Sequence, residues 1–125
     1  MLQIALGVFL VRHGLVHLLY VGLSRGRFED GSIAWSGRSW LLRGLLSEEA
    51  LRWVATAAYA AATVLFVAAG AAVLAGAAWM GTSISLAAVV STLAILVFWD
   101  GRVHKLADQG FIGVLIDVAL IAGVL

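Results

Sequence analysis

The chain has 125 residues, of which 63% are hydrophobic, and its charged side chains are 8 Lys and Arg and 7 Asp and Glu. A soluble domain needs about 25% charged residues to cover its surface, whereas this chain has 12%, so the composition indicates an integral membrane protein. The absence of cysteine excludes disulfides, thiolate metal sites and a cysteine nucleophile. A net charge of +1 gives no support for a nucleic-acid partner.

The first predicted membrane span covers residues 2–23 and contains the sequence LVRHGLVHLLYVG. It lacks the early positive charge of a signal peptide and carries Arg12 inside its apolar run, so we expect a retained transmembrane helix. His13 and His17 are four residues apart, which places both imidazoles on one helix face. At 100° per residue Tyr20 shares that face, whereas Arg12 points away from it.

A loop is predicted at 24–50, where most of the arginines lie. Its sequence IAWSGRSWLLRGLL alternates bulky apolar residues with Gly, Ser and Arg, which is typical of a segment in the headgroup layer. An ordered connecting loop anchored by its tryptophans is the alternative. At the end of this loop, Ser47 followed by Glu48 and Glu49 predicts the N-cap and first turn of the next helix.

Positions 53–99 hold no Asp, Glu, Lys or Arg. One membrane span needs only about 20 residues, so this region must contain two spans and a turn. The spans are predicted over 51–75 and 83–99, with the turn at GAAWMGTS. Tyr59 lies on a polar face of the second helix. Small residues at four-residue spacing predict a contact face there, toward the same bundle or a second copy.

The last predicted span covers 106–125. The segment before it, DGRVHKLADQG, contains Asp100, His104 and Asp108 at four-residue spacing. We interpret these three residues as a polar cytoplasmic mouth of the bundle, with a solvated turn as the alternative.

The other charged residues lie in or beside the loops, which leaves Arg12 and Asp117 as the two charged residues deep inside predicted spans. Each would cost about 2.5 to 3.5 kcal/mol if it lay unpaired at the bilayer centre. We therefore expect Asp117 to pair with Arg12 or with one of the histidines, in a shared layer of the bundle. The candidate ligand or proton site comprises six side chains: Arg12, His13, His17, Tyr20, Tyr59 and Asp117.

The basic residues between the spans fall in the first and third loops, which the positive-inside rule makes cytoplasmic. Both termini are then outside. The fold prediction is an all-α, polytopic membrane protein, with residues 1–125 forming a single four-transmembrane-helix bundle.

The opening stretch LVRHGLVHLLYVGLSRG, together with four helices in 125 residues, resembles the DoxX-like family of small bacterial membrane proteins. The resemblance implies a location in the bacterial inner (cytoplasmic) membrane and an association with redox or quinone-linked systems. It transfers no catalytic residue to this chain.

Three functions stay open from the sequence. In the first, the intramembrane layer binds or conducts an ion, proton or small ligand, within a homo-oligomer or beside a partner membrane subunit in the lipid bilayer. In the second, the chain is a membrane-embedded redox enzyme or quinone-linked subunit, and His13 and His17 ligate a metal ion or haem. In the third, it is a structural subunit of a larger membrane complex, and its polar residues form hydrogen bonds between helices.

Overall fold

The computed structural model describes residues 1–27, 37–103 and 110–125. These residues form four α-helices, as the sequence predicts: α1 (Leu2–Ser24), α2 (Glu48–Leu74), α3 (Met80–Val97) and α4 (Phe111–Val124). By length and composition, α1, α2 and α3 can each cross a membrane. The described part of α4 is apolar but shorter, with 14 residues.

The start of α2 confirms the predicted N-cap. The Ser47 hydroxyl accepts a hydrogen bond from the backbone N–H of Ala50 at 3.2 Å, and this satisfies one of the donors that a helix start leaves without a partner. Glu48 and Glu49 occupy the first turn. Their negative charge lies beside the positive end of the helix dipole and stabilises this end of α2.

The turn between α2 and α3 is tighter than predicted. α2 ends at Leu74 and α3 begins at Met80, so the last residues of GAAWMGTS belong to α3. Gly76 has a φ of +62°, a left-handed conformation that a side chain would disfavour, and it ends the helix. The short connection makes α2 and α3 direct neighbours.

The described part of α4 begins at Phe111, later than the predicted span. Gly110, with a φ of +96°, adopts the left-handed conformation and so cannot continue a right-handed helix. The predicted positions 106–109 lie outside the described residues.

Helices that are consecutive in the chain pack against each other. α1 and α2 approach most closely at glycines: a methyl group on Gly70 would lie 2.8 Å from the carbonyl oxygen of Gly7. A methyl group on Gly14 would lie 2.7 Å from Cβ of Phe66. These contacts require residues without a side chain, because the backbones themselves are in contact.

The alanines of α2 lie on two surfaces. Ala72 is buried in the bundle, whereas Ala57, Ala61 and Ala68 are exposed. α2 crosses α1 most closely at glycines. The exposed alanines do not take part in this crossing and lie on the outer surface of α2.

Two apolar clusters form the core of the bundle. The first is built around Leu10 and Phe66, with small residues of α3. The second is built around Tyr59, Ile95 and Phe98. Polar side chains of α1 lie between these clusters, and they define the candidate site.

Candidate functional site

A buried polar layer connects three helices of the bundle. α1 contributes His13 and His17, α3 contributes Ser91 and Thr92, and α4 contributes Asp117. His13 is 9% exposed, His17 is 3% exposed and Asp117 is completely buried. The two histidines are one helical turn apart, so their rings enter the bundle at neighbouring levels.

Asp117 has polar partners on two sides. Nε2 of His13 lies 3.2 Å from Oδ1 of Asp117, and the Thr92 hydroxyl donates to Oδ2 at 3.3 Å. The first contact joins α1 to α4, two helices whose backbones approach less closely than those of consecutive helices in the described chain. The pair has two neutral forms, imidazolium with carboxylate and imidazole with carboxylic acid. If the pair gains or loses a proton, it acquires a net charge in apolar surroundings.

His17 uses both ring nitrogens. Nδ1 lies 3.1 Å from the carbonyl oxygen of His13, which can only accept, so Nδ1 carries the proton in this contact. Nε2 lies 2.8 Å from the Ser91 hydroxyl. A neutral imidazole satisfies both contacts, because it donates from Nδ1 and accepts from the serine at Nε2.

Aromatic rings surround the two histidines. The His13 ring meets Phe66 edge to face, with centroids 4.7 Å apart. The His17 ring lies 6.4 Å from Tyr59, and Tyr59 stacks on Tyr20 at 5.0 Å. The two predicted tyrosines therefore lie beside the layer, on the side toward the C-terminal end of α1.

Arg12 lies outside the internal layer, contrary to our expectation. Its side chain is exposed on the outer surface of α1, and within the described residues no ion pair joins it to Asp117. Adjacent residues of a helix point about 100° apart, and α1 turns His13 and Gly14 into the bundle, which leaves Arg12 on the outer side.

An open groove of about 460 Å³ runs along this outer surface of α1. Its lining is Ala5, Val8, Phe9, Arg12, His13 and Val16. His13 thus contributes both to the groove wall and to the buried contact with Asp117.

The predicted cytoplasmic mouth is described only at Asp100, since His104 and Asp108 lie outside the described residues. The Asp100 side chain is 3% exposed, and its Oδ1 accepts from the backbone N–H of Arg102 at 2.9 Å. Asp100 follows the end of α3, about 13 Å along the helix direction from Ser91. It therefore belongs to a separate group of polar residues.

Ser91 and Thr92 are site residues outside the six predicted from the sequence, and Ser91 is the more deeply buried of the two. It is completely buried and lies on the face of α3 that also carries the buried Ile84, Ala87, Ala88 and Ala94. Small residues on one apolar helix face are a signal of close packing. A serine on this closely packed face was the sequence signal that α3 places a polar side chain inside the bundle.

The layer has the geometry of a hydrogen-bond network. The Nε2 atoms of His13 and His17 face different partners, and the described residues contain no group of three or more His, Cys, Asp or Glu arranged to hold a metal ion. No protein-family model, curated protein or solved structure matches this chain.

Proposed function

We propose that this chain is a four-span protein of the bacterial inner membrane, in which the His13–Asp117 pair takes up a proton when a small anion binds at Arg12. Three apolar helices support the membrane location, and α4 serves as the fourth span. The arginines of the first and third loops support cytoplasmic loops and external termini. The resemblance of α1 to DoxX-like proteins agrees with the inner membrane.

The observation that carries this function is the position of His13. Its ring is 3.2 Å from the buried carboxyl group of Asp117, and the same residue lines the open groove beside Arg12. Imidazole can both accept and donate a proton near neutral pH. His13 therefore lines the groove in which the ligand binds and can also hold a proton beside the buried carboxyl group.

Arg12 indicates the charge of the ligand. It lies about 15 Å from one end of α1 and about 18 Å from the other, so its charge falls near the bilayer centre. An anion in the groove would offset the cost of about 2.5 to 3.5 kcal/mol for that charge.

A second copy of this chain does not supply that anion from its described residues. Asp117 is buried inside the bundle, and the other described acids lie at or beyond helix ends: Glu48, Glu49 and Asp100. The counter-ion that we assign to the groove is a small anionic ligand.

Proton binding and anion binding are expected to favour each other. When the His13–Asp117 pair gains a proton it becomes cationic, and an anion at Arg12 lowers the electrostatic cost of that charge. The coupling is reciprocal, so each ligand raises the affinity for the other. A site of this kind supports transport of a proton together with an anion.

Proton flux into vesicles tests this function. Protein reconstituted in liposomes with an entrapped pH dye is exposed to inward gradients of chloride, nitrate or methanesulfonate, which do not cross the bilayer as neutral acids. We expect the wild-type protein to acidify the lumen with at least one anion. Asp117→Asn should slow this flux at least about tenfold, since a positioned proton-transfer group typically contributes a hundredfold or more. Arg12→Gln should slow it as well, because the anion then loses the charge that binds it.

Glu48→Gln is the matched control, because it neutralises an exposed acid at the start of α2, outside the layer. Its flux should equal that of the wild type. Equal fluxes in Asp117→Asn and in the wild-type protein would contradict the proposed role of the pair.

A further inference from the structure

A basic cleft lies at the end of α3, apart from the buried layer. It has a volume of about 640 Å³. Its charged and polar lining comes from two segments that are distant in sequence: Arg38, Ser39, Trp40, Arg43, Asp100 and Arg102. The first loop and the residues after α3 therefore form the cleft together.

The first loop is fixed to the end of α3 by hydrogen bonds. The last carbonyl groups of a helix have no partner within the helix. The Trp40 indole N–H donates to the carbonyl oxygen of Leu96 at 2.7 Å, and the Ser39 hydroxyl donates to that of Val97. Ser39 is 1% exposed. These anchors hold the neighbouring arginines of the loop in the cleft wall.

The charge of the cleft is unbalanced. Three guanidinium groups face one carboxylate, which gives a net charge of +2 for the lining. Asp100 Oδ2 lies 4.0 Å from Nε of Arg102. Within the described part of the chain, the side chains of Arg38 and Arg43 are exposed and form no ion pair. The cleft thus has guanidinium groups positioned to bind an anion.

The guanidinium group is suited to one anion in particular. Its planar fork matches two oxygens of a phosphate group and forms two parallel, charge-assisted hydrogen bonds. A phosphate carries one negative charge as a diester and up to about two as a monoester, which matches the net charge of the lining.

We propose that this cleft binds a phosphate group, presented either by the headgroup of an anionic phospholipid or by a soluble phosphate-bearing small molecule. If the helices span the membrane, their ends lie at the level of the lipid headgroups, and a phospholipid headgroup can then supply the phosphate. Trp40, which is 54% exposed, suits that level as well. Phosphate recognition itself depends on the arginines and not on the His13–Asp117 pair.

Native mass spectrometry of the detergent-purified full chain measures this binding, with phosphatidylglycerol and inorganic pyrophosphate as the two probes. The variant Arg38→Gln/Arg43→Gln should weaken binding at least about tenfold, the effect of losing one charge-assisted hydrogen bond. The control Arg25→Gln/Arg27→Gln removes the same charge outside the cleft lining. It should change binding less than about twofold, the effect expected of screened surface charge.

A third variant, Arg38→Lys/Arg43→Lys, keeps both charges but loses the planar fork, so we expect an intermediate loss. If the glutamine double variant lowers the helix content measured by circular dichroism, the lysine double variant replaces it in the comparison with the control. Selective loss of phosphatidylglycerol identifies the lipid as the source, and selective loss of pyrophosphate identifies a soluble ligand. Equal weakening in the cleft and control variants, or no binding of either probe to the wild type, would overturn the assignment.

Discussion

Replacing His13 and Asp117 by leucine, singly and together, tests whether the two residues act as one coupled pair. In His13→Leu, Asp117 keeps, among the described residues, its contact with Thr92 in a completely buried site. In Asp117→Leu, the imidazole of His13 loses its carboxyl partner. Each single change leaves a buried polar group without its main partner, whereas the double change removes both groups.

The expected free energies follow from these contacts. A carboxylate left alone in the interior costs about 3 kcal/mol or more, and an unsatisfied neutral imidazole costs about 1 to 3 kcal/mol. Replacing both partners by apolar side chains is close to neutral. Because the double change costs little, the two single costs add, and the coupling energy of the cycle should be about 4 to 6 kcal/mol. An ordinary hydrogen bond between membrane helices gives only about 0.6 kcal/mol on average and about 1.7 at most.

Reversible unfolding by sodium dodecyl sulfate in mixed micelles, followed by far-ultraviolet circular dichroism, gives the four free energies of unfolding. Asp117→Leu combined with Thr56→Val is the control cycle, because Thr56 contacts Ser24 at 2.6 Å in another part of the bundle. The control changes should add to within about 0.5 kcal/mol. A His13–Asp117 coupling of about 0.6 kcal/mol or less would refute the reasoning and would make the contact an ordinary structural hydrogen bond.

Two further predictions use the same unfolding titration. Gly70→Ala should destabilise the bundle by about 1 to 3 kcal/mol, despite the better helix propensity of alanine, because the new methyl group would lie 2.8 Å from a backbone oxygen of Gly7. Gly81→Ala should stabilise by up to about 1 kcal/mol, because no side chain or backbone beyond its own helical turn and chain neighbours lies within 4 Å of the new methyl group. The same sign for both glycines would count against the described crossing. Trp40→Phe should lower the free energy of unfolding by about 1 kcal/mol through loss of the indole hydrogen bond to α3. Trp53→Phe, at a position with the same 54% exposure, should have a smaller effect, and equal losses would show that the indole bond is not what anchors the loop.

The helices could be predicted well from the sequence because their signals are local. Long apolar stretches placed α1, α2 and α3 close to their observed bounds. The serine and two glutamates at positions 47–49 marked the start of α2 correctly. The start of α4 at Phe111, after the left-handed Gly110, was not evident from the apolar pattern, because a glycine adopts this conformation only in a particular backbone context.

The polar layer could be predicted only in part. Helical periodicity placed His13 and His17 on one face, and the cost of a buried acid indicated that Asp117 needs a partner. Periodicity gives angles around one helix but not the rotation of that helix against its neighbours. The expectation that Arg12 joins the layer was therefore wrong, since Arg12 faces outward, and the two α3 residues that complete the network, Ser91 and Thr92, were missed.

The sequence by itself determined the helical class, the apolar character of the helices and the few ionisable residues inside them, because composition and spacing act along one chain. Only the tertiary structure decided that His13, and not Arg12, meets Asp117, and that Ser39 and Trp40 fix a basic loop on the end of α3. These contacts join residues far apart in sequence. They depend on how closely the glycine-lined helices approach and on which face each helix turns inward.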